Sequence, residues 1–569
     1  LISSKSCQVC PELVKSVVAE VENNLKYNLK EALKAAAEQE GVTLDESPEI
    51  EVEVPREKAH GDYATNLAMV CAGIFKRSPR QVAELIIDNF SYDLVEEIEI
   101  AGPGFINFTF NQSWLHKALK LITKMGSEYG STDFGQGENV QIEFVSVNPT
   151  GPLHVGHSRG AIVGDVLHNI MEKAGFEVDK EYYINDAGNQ MDILGRSTMV
   201  RYKQECGIDT DLPEEAYVGD YVKDIAREIK AEKGEELLDQ SEIEQLEFCR
   251  EFAYQKMMNI IEEDLNDIGI EFDVWFSERI LHEEGKIDEA IEALREKGYI
   301  FEENDALWFK STEFGDDKDR VVIKSDGKPT YLAADIAYHL NKLERDYDQL
   351  INIWGADHHG YIPRVKAVIE AFGYPADKLE VLIVQIVTLL RDDEKVPMSK
   401  RAGTFVTMRE VMEEVGKDAA RYFYVMRSTD SHFDFDLDLA KEESTDNPVY
   451  YIQYAHARIQ SILDNLDEDM TIDKELDLSC LGEEAELDLM KHLARFPEII
   501  KLSADRREPH HMANYAYELA NNFHVFYNKC RVITDDEELS RARLYLVLAA
   551  KQVLINALDI LGVTAPDEM

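Results

Sequence analysis

The chain of 569 residues contains no uninterrupted apolar run of membrane-spanning length, and its first residues lack the apolar core of a signal peptide. These two absences argue against a membrane-spanning or secreted protein. Hydrophobic residues make up 44% of the chain and charged residues 30%, proportions typical of a globular protein. Because the length exceeds what one hydrophobic core usually serves, about three or four domains are expected.

Cysteine is scarce, with seven residues scattered along the chain. An odd number without regular spacing fits a reducing compartment better than a disulfide framework, so a cytoplasmic protein is expected. Cys7 and Cys10 form a C-x-x-C pair, but the sequence offers no second pair and no nearby histidine to complete a zinc site. No structural metal is therefore expected.

Positive charge is also in short supply. The 60 lysines and arginines face 111 aspartates and glutamates, which gives a formal net charge of −51. A field of that sign repels phosphates and argues against a nucleic-acid partner unless local basic patches attract it. Lys76, Arg77 and Arg80 form one candidate patch, and Arg506 with Arg507 another, although each alone is more simply interpreted as solvated surface. A saline cytoplasm would screen the acidic excess, but the chain is not poor in lysine.

A histidine motif follows the first strongly apolar segment of the central region. The segment from Ile142 to Val145 runs into a turn rich in proline and glycine, and then His154 and His157 flank Gly156 ahead of a helical pattern. This layout directs two imidazole donors and a helix N-terminus at one anion, while Gly156 leaves room for a flat base. A nucleotide phosphate is the predicted guest. Alone the motif is weak, since two histidines near a turn are usually surface residues.

A second motif lies roughly 240 residues farther along the chain. Pro397 to Thr404 reads Pro-Met-Ser-Lys-Arg-Ala-Gly-Thr, in which Ser399 and Lys400 are placed to reach a triphosphate. Between the two motifs strands alternate with helices, which is the pattern of a doubly wound nucleotide-binding sheet.

In this order and on this α/β pattern, the two motifs resemble the signature motifs of class I aminoacyl-tRNA synthetases. Further segments resemble arginyl-tRNA synthetases of the bacterial type: 146–157, 183–190, 331–338, 354–360 and 447–458. The resemblance covers nearly the whole chain apart from its first dozen residues. It implies ATP-dependent ligation of L-arginine to its tRNA through an arginyl-adenylate, by a monomer with no membrane partner. Its partners would be L-arginine, tRNA(Arg) and ATP with Mg²⁺, and formation of the adenylate would require bound tRNA.

The predicted fold is α/β, with a Rossmann-like doubly wound catalytic domain between two smaller domains. We place an N-terminal α/β additional domain at 12–112, the catalytic domain at 138–440 and an all-helical anticodon-binding bundle at 446–569. A charged, mostly helical insertion at about 195–280 is expected between the halves of the sheet. The resemblance implies that the N-terminal domain holds the elbow of the tRNA and that the helical bundle reads the anticodon.

Hydrophobic periodicity predicts individual elements as well. Helices are expected at Ser113–Met125 and Glu483–Ala504, and strands at Glu49–Val54, Phe105–Phe110 and Val381–Leu389.

The implied chemistry is in-line attack of the arginine carboxylate on the α-phosphate of ATP. It needs positioning and charge stabilisation rather than a covalent enzyme intermediate. His154, His157 and Lys400 match the catalytic positions of the family. The resemblance assigns the ATP pocket to these residues: Pro152, Gly156, Gly355, Asp357, His358, Met398 and Ser399. Mg²⁺ would accompany ATP, bound mainly through phosphates and water.

The signature loop departs from the family pattern at one position. Members with a full loop carry lysine immediately before the methionine, where this chain has Pro397, and Lys395 lies two residues earlier. Some members with a poor loop use a lysine just upstream of the histidine motif, but that position is Gly151 here. Because Lys400 is present, activity with weaker ATP binding is expected.

Arginine recognition calls for carboxylates, because a guanidinium is always charged and presents planar, forked donors. Glu143, Asn148, Tyr331 and Asp335 match the positions that hold arginine in the family. The acidic groups would bind the guanidinium, Asn148 the α-amino or carboxylate end, and Tyr331 would pack on the side chain. Without the resemblance, Tyr331 and Asp335 would more simply be an ordinary pair at a helix start.

Two other classes of protein share parts of this pattern. A small-molecule adenylyl or cytidylyl transferase would explain the histidine motif but would leave the flanking domains without a function. A non-catalytic tRNA-binding relative would be favoured by loss of either histidine or of Lys400, and all three side chains are present. ATP–pyrophosphate exchange with each amino acid, with and without tRNA, distinguishes these alternatives.

Overall fold

The computed structural model describes residues 16–44, 48–55, 57–397, 405–466 and 476–569. The described part of the first domain packs helices against a three-stranded antiparallel sheet. Its elements are α1 (Val17–Glu40), β1 (Tyr63–Thr65), α2 (Leu67–Phe75), α3 (Pro79–Asp88), β2 (Val95–Ala101), β3 (Phe105–Phe110) and α4 (Ser113–Met125). The strand order is β1-β3-β2. The predictions that became β3 and α4 are confirmed.

The predicted strand at Glu49–Val54 is wrong. Only Glu53 pairs, in a single antiparallel bridge to Ala64. The alternating pattern is real, but its neighbour β1 spans only three residues and offers no further pairing length. The helix before it ends at Gly41, whose φ of 63° is the left-handed conformation that glycine adopts without strain.

A five-stranded parallel sheet forms the centre of the catalytic domain. The elements of its first half are β4 (Asn139–Glu143), α5 (Val155–Lys173), β5 (Glu177–Ile184), α6 (Asn189–Glu205), α7 (Asp220–Lys233), α8 (Glu242–Asp267) and β6 (Val274–Ser277). The second half begins with α9 (Glu278–Glu283), α10 (Lys286–Glu296), β7 (Ile300–Glu303), β8 (Ala306–Phe309), β9 (Arg320–Ile323), α11 (Tyr331–Leu343), β10 (Gln349–Gly355), α12 (Ile362–Phe372) and β11 (Leu379–Val384).

The parallel sheet has the strand order β11-β10-β4-β5-β6. Its two halves therefore meet between β4 and β10, the switch point at whose carboxyl edge ligands bind in such folds. The insertion, α6 to α8, connects β5 to β6 and interrupts the first half of the sheet. The prediction that it lies between the halves is wrong, because the short strand β6 returns to the sheet after it.

The predicted strand at Val381–Leu389 is two strands in two sheets. The rest of the domain comprises β12 (Val387–Arg391), β13 (Glu394–Lys395), α13 (Met408–Val415), α14 (Lys417–Val425), β14 (Phe433–Asp436) and α15 (Leu437–Lys441). β11 ends the parallel sheet, whereas β12 pairs with β13 and β14 in a smaller one. The break falls at Gln385, whose N–H donates to the carbonyl of Thr429 (2.9 Å) instead of to a neighbouring strand.

The C-terminal bundle is all helical in its described residues. It contains α16 (Pro448–Asp464), α17 (Glu484–Ala494), α18 (Phe496–Arg506), α19 (His510–Lys529) and α20 (Glu537–Leu561). The single helix predicted at Glu483–Ala504 is wrong, because the chain turns at Arg495, where Pro497 fits the first turn of a new helix but not the interior of an old one. By length and composition α20 is apolar enough to cross a membrane, but 72% of that stretch is buried inside the protein, as in a core helix.

One continuous group of buried side chains runs from the first domain through the parallel sheet into the bundle. The insertion has a core of its own, centred on Tyr202, Ile229 and Met257. At the junction with the bundle, Arg507 lies over the ring of Phe176 and 3.3 Å from Glu380, with its side chain 13% exposed. Of the candidate basic patch at Arg506–Arg507, only Arg506 is therefore exposed on the surface.

Candidate active site

The turn that follows β4 holds backbone in an unusual conformation. Val145 and Ser146 have φ values of 66° and 43°, a region that β-branched residues rarely adopt. The turn is held by two contacts from β5: the N–H of Tyr183 donates to Ser146 Oγ (3.1 Å), and the hydroxyl of Tyr182 donates to the carbonyl of Val147 (2.9 Å). Backbone strain of this kind concentrates at functional sites, and here it turns the chain from β4 towards α5.

The two histidines of the motif form the N-terminal cap of α5. The N–H of Gly156 donates to His154 Nδ1 (3.1 Å), and the N–H of His154 donates to His157 Nδ1 (3.3 Å). Because both Nδ1 atoms accept, the ring hydrogens lie on Nε2, the atoms suited to donate to a phosphate. The rings stack with centroids 3.6 Å apart. A Cβ at Gly156 would lie 2.9 Å from the His154 ring, so a larger residue would have to displace that ring from the cap.

The histidine motif is joined to the segment that follows the signature loop. The N–H of Val155 donates to the carbonyl of Val406 (3.1 Å), and the N–H of Met408 donates to the carbonyl of Leu153 (2.8 Å). Between these bonds His154 and Thr407 pair in an antiparallel bridge. Met398, Ser399 and Lys400 lie outside the described residues. The chain that follows them is described from Phe405, whose ring centroid lies 5.8 Å from that of His154.

The residues assigned to adenosine lie at the carboxyl end of β10. A Cβ at Gly355 would lie 2.7 Å from Asp357 Oδ1, so the carboxylate folds back over the glycine. The side chains of Asp357 and His358 are 78% and 64% exposed, with His358 Nε2 3.7 Å from Asp357 Oδ2. Pro152 is half-buried on the opposite side of the switch point.

Asp335 lies one helical turn after Tyr331 on α11, as predicted, but only the carboxylate is shielded from solvent. The hydroxyl of Tyr361 donates to Asp335 Oδ2 (2.6 Å). Burial, followed by the charges of Glu278 and Glu143, raises the pKa of Asp335 to about 7. Tyr331, in contrast, is 65% exposed. In the isolated chain the two residues therefore do not form a closed pocket.

Glu143 is buried and already has a partner. Lys342, whose side chain is fully buried, donates to Glu143 Oε2 and to Asn352 Oδ1 (2.9 Å). A guanidinium that binds here would meet a carboxylate shared with an internal lysine. Asn148 is tied to Gln190 by a side-chain hydrogen bond, which links the turn after β4 to the first helix of the insertion.

Glu278 was not identified from the sequence. It is the first residue after β6, is 6% exposed, and accepts from the hydroxyl of Tyr183 (2.8 Å). Burial raises its pKa. The signal that would have found it is its position at the carboxyl end of a parallel strand, where Asp335 and Glu143 also gather. β6 was not recognised because it is four residues long and follows the insertion.

Arg159 fixes the second turn of α5 in place. Its side chain is 1% exposed and donates to five backbone carbonyls, which belong to Gln385, Tyr424, Arg427, Ser428 and Ser431. A guanidinium has five N–H donors, so the set is fully matched. Burial lowers the pKa of Arg159 to about 10.

Replacing Arg159 with methionine is expected to destabilise the catalytic domain by at least about 3 kcal/mol, because buried carbonyls would lose their donors. Urea unfolding followed by tryptophan fluorescence measures the change. Arg506→Met, on an exposed helix end, is the control and should stay within about 0.5 kcal/mol of wild type. Equal unfolding midpoints for Arg159→Met and wild type would contradict this interpretation of the buried side chain.

Cys7 and Cys10, the C-x-x-C pair of the sequence, lie outside the described residues. The five cysteines within them are free thiols. Elsewhere in the described chain, Glu508, His510 and His511 bring potential ligand atoms within 4.8 Å of one another. The expectation of no structural metal stays a prediction.

A doubly wound sheet whose switch point meets a His-x-Gly-His helix start, with residues 406–408 pairing beside that start, is the arrangement of a class I aminoacyl-tRNA synthetase. Family models match consecutive parts of the chain: the arginyl tRNA synthetase N terminal domain at 23–110, the catalytic domain of class I (R) tRNA synthetases at 121–432, and the DALR anticodon binding domain at 452–569.

Arginine–tRNA ligases from other organisms are similar to this chain over nearly its full length. Arginine–tRNA ligases of Bacillus licheniformis and Bacillus subtilis are 51% and 50% identical over 97% and 96% of this chain and 100% of their own. A Campylobacter jejuni crystal structure described as an arginyl-tRNA synthetase is 35% identical, with a TM-score of 0.76 over 81% of this chain and all of that one. The Thermus thermophilus enzyme shares the fold, with a TM-score of 0.72 at 22% identity over 96% of this chain and 100% of that one.

The chain belongs to the arginyl-tRNA synthetase family and is an arginine–tRNA ligase. The predicted family, fold class and enzyme activity are confirmed. The activity implies tRNA, arginine and ATP as substrates. A match of this length to ligases leaves no place for the alternatives of a small nucleotidyl transferase or a non-catalytic relative.

Proposed function

We propose that the chain forms an arginyl-adenylate at the carboxyl edge of its parallel sheet and passes the arginine from there to the tRNA. The observation that carries this proposal is the backbone pairing of residues 153–155 with residues 406–408, which joins the histidine motif to the segment that follows the signature loop in the chain. The arginine carboxylate attacks the α-phosphorus, the bond to the bridging oxygen breaks, and pyrophosphate leaves. The catalytic task is then to hold the reactants in line and stabilise charge on the phosphates.

Each motif has one part in this mechanism. His154 and His157 donate through Nε2 to phosphate oxygens, helped by the N-terminal end of α5. Ser399 and Lys400 bind the leaving pyrophosphate, and Pro152, Gly156, Gly355, Asp357, His358 and Met398 surround the nucleotide. Mg²⁺ enters with ATP and is held by phosphates and water, so no resident metal is assigned.

Lys400→Ala is expected to lower arginine activation roughly a hundredfold or more, the scale for removing one charge-stabilising donor from a transition state. Its effect on the arginine KM should be small, because the loop faces phosphates rather than the amino acid. Pyrophosphate exchange at saturating arginine and tRNA measures the loss. Turnover near the wild-type value would refute the function given to the loop.

Lys395→Ala serves as the companion variant. Lys395 ends β13, two residues before the proline that replaces the usual lysine of the loop. A rise in the ATP KM of this variant would show that Lys395 substitutes for the missing lysine. An unchanged ATP KM would mean that the loop works with Lys400 alone.

We propose that the arginine guanidinium binds between Asp335 and Glu143, with Glu278 added to the predicted set. The charges of Glu278 and Glu143 both raise the pKa of Asp335, so the three carboxylates form a site that favours a cation, and the substrate is a cation at every physiological pH. Asn148 then faces the α-amino or carboxylate end, and Tyr331 closes over the aliphatic part.

Arginine affinity should increase with pH up to about 7 and level off above it. Asp335 must be ionised to bind the guanidinium, and its raised pKa leaves it partly protonated in the free enzyme at neutral pH. Below pH 7 the affinity should fall by up to about tenfold per pH unit, with one proton released on binding. Calorimetry in buffers of different ionisation enthalpy measures that release. Binding without release of a proton at pH 6 would exclude this arrangement.

We assign the three domains the boundaries 12–112, 138–440 and 446–569, with the N-terminal domain at the tRNA elbow and the bundle at the anticodon. The enzyme is proposed to act as a cytoplasmic monomer without a membrane partner. The free thiols and the buried apolar face of α20 support this assignment.

A further inference from the structure

Arg421 joins three parts of the molecule with one buried side chain. It lies on α14 and is 1% exposed. Its Nε donates to the carbonyl of Leu561 at the end of α20 (2.8 Å), its Nη1 to the carbonyl of Ile268 at the end of the insertion (3.0 Å), and its Nη2 to Asp165 of α5 (2.6 Å). The anticodon bundle, the insertion and the helix of the histidine motif therefore share one guanidinium.

The contact reaches the active site through a single rigid element. Asp165 lies on α5 eleven residues after His154, about 16 Å along the helix axis. It also accepts from Lys180 Nζ of β5 (3.1 Å). Four residues further, Asn169 donates to the carbonyl of Ile560 (3.0 Å), so α5 is connected to the end of α20 directly at Asn169 and through Arg421 at Asp165. A small displacement of α20 would be passed along α5 to the phosphate-binding histidines.

The same helix that carries Arg421 also holds the end of the chain. Asp418, one turn earlier on α14, accepts from the N–H of Thr564 (3.0 Å) and from Gln453 of α16 (2.8 Å). A cation at the C-terminal end of α20 is favoured by the helix dipole as well as by the exposed carbonyls there. α14 therefore contacts the bundle through Asp418 as well as through Arg421.

We propose that Arg421 is a positioning residue that couples tRNA on the anticodon bundle to the placement of His154 and His157. The proposal rests on the functions proposed above for α5 and for the bundle. A displacement of the end of α20 changes the distances from Arg421 to its three acceptors. Because Asp165 is one of these acceptors, α5 moves as well. Such coupling needs a shared element whose arrangement both sites influence, and Arg421 is that element.

The first test compares Arg421→Lys with Arg543→Lys. Arg543 is also buried and paired, but its partners Glu486 and Arg531 lie within the bundle, so its replacement tests destabilisation alone. Lysine keeps the charge but cannot serve three separated acceptors. Arg421→Lys should lower kcat for tRNA-stimulated pyrophosphate exchange about tenfold, a coupling of ordinary size, with the tRNA Kd within about twofold of wild type. Arg543→Lys should leave kcat unchanged within about twofold.

The second test changes the contact between Arg421 and α20 by a substitution at the end of α20. Gly562 ends α20 with φ 65°, and a Cβ there would lie 2.3 Å from Arg421 Nε. Gly41 ends α1 with φ 63°, and a Cβ there would meet nothing within 4 Å. Gly562→Ala and Gly41→Ala therefore carry the same backbone strain, and only the first displaces Arg421. Gly562→Ala should reproduce the loss of kcat, and Gly41→Ala should not.

His157→Asn, measured alongside, separates the coupling from the active site on which it rests. Normal exchange in His157→Asn would contradict the proposed phosphate site and the coupling with it. Loss of exchange in His157→Asn together with normal kcat in Arg421→Lys would overturn the coupling alone. A raised tRNA Kd at unchanged kcat, or equal losses in the matched control variants, would also overturn it.

Discussion

An Asp335→Asn enzyme is expected to lose kcat/KM for arginine by about a hundredfold to several thousandfold, while its ATP KM changes little. The substitution keeps the shape of the side chain and its ability to accept from Tyr361, but it removes the charge opposite the guanidinium. Breaking one side of a desolvated ion pair costs about 3–5 kcal/mol, because the other charge is left without compensation. Pyrophosphate exchange at varied arginine and at varied ATP separates the two effects.

Two comparisons make this result specific to the arginine pocket. Glu486→Gln removes a buried carboxylate from an ion pair in the bundle and should leave the arginine KM unchanged. Citrulline, nearly isosteric with arginine but neutral, should be rejected by the wild-type enzyme, since it leaves the carboxylates unpaired. Efficient activation of citrulline by the wild-type enzyme would contradict the proposed pocket. So would an arginine KM that Asp335→Asn leaves unchanged.

The pH dependence offers an independent check on the same residue. The wild-type profile should bend near pH 7, where Asp335 titrates, and the Asp335→Asn profile should lose that bend. Burial also raises the pKa of Glu278, so a slope that remains in the Asp335→Asn profile would report on it. Comparison of the wild-type and Asp335→Asn pH profiles would show how many of the carboxylates take part in arginine binding.

The sequence predicts the parts of this fold whose physical causes are local. The two histidines, the glycine between them and the following helix are one N-terminal cap, and the cap forms from neighbouring residues. The helix at Ser113–Met125 was predicted to the residue because an amphipathic pattern ends there at a glycine. The order of the two motifs then indicates the class of fold, because parallel strands bring their carboxyl ends to one edge.

The predictions from sequence are wrong or incomplete where contacts between residues far apart in the chain determine the structure. Val381–Leu389 is one apolar run, and only the pairing of Gln385 with Thr429 separates it into two sheets. Glu143 was expected to face the substrate, and no pattern in the sequence reveals that Lys342 lies against it. Glu278 was missed because a four-residue strand after a long insertion has no visible partner. In each case the deciding contact joins positions far apart in the chain.

Several groups of the proposed active site are exposed to solvent or already paired with another side chain. Their arrangement leads to the second large effect that we expect, on the rate of pyrophosphate exchange. Tyr331 is 65% exposed, the side chains of Asp357 and His358 are more than half exposed, and Glu143 is held by Lys342. The proposed site requires Tyr331 over the substrate, the proposed adenosine residues closed on the base and Glu143 turned towards the guanidinium. Binding energy from a large partner can supply that rearrangement.

Omitting tRNA is therefore expected to lower arginine-dependent pyrophosphate exchange at least about a hundredfold, the scale for reacting groups displaced by an ångström. Arginine tRNA should restore the exchange, and a tRNA for another amino acid should not, because the bundle is proposed to read the anticodon. ATP and arginine binding measured without tRNA should remain detectable, since the histidine cap and Asp335 are already in place. Exchange at the full rate in the absence of any tRNA would show that the free enzyme assembles its site unaided. The exposure of Tyr331 would then have no bearing on activation.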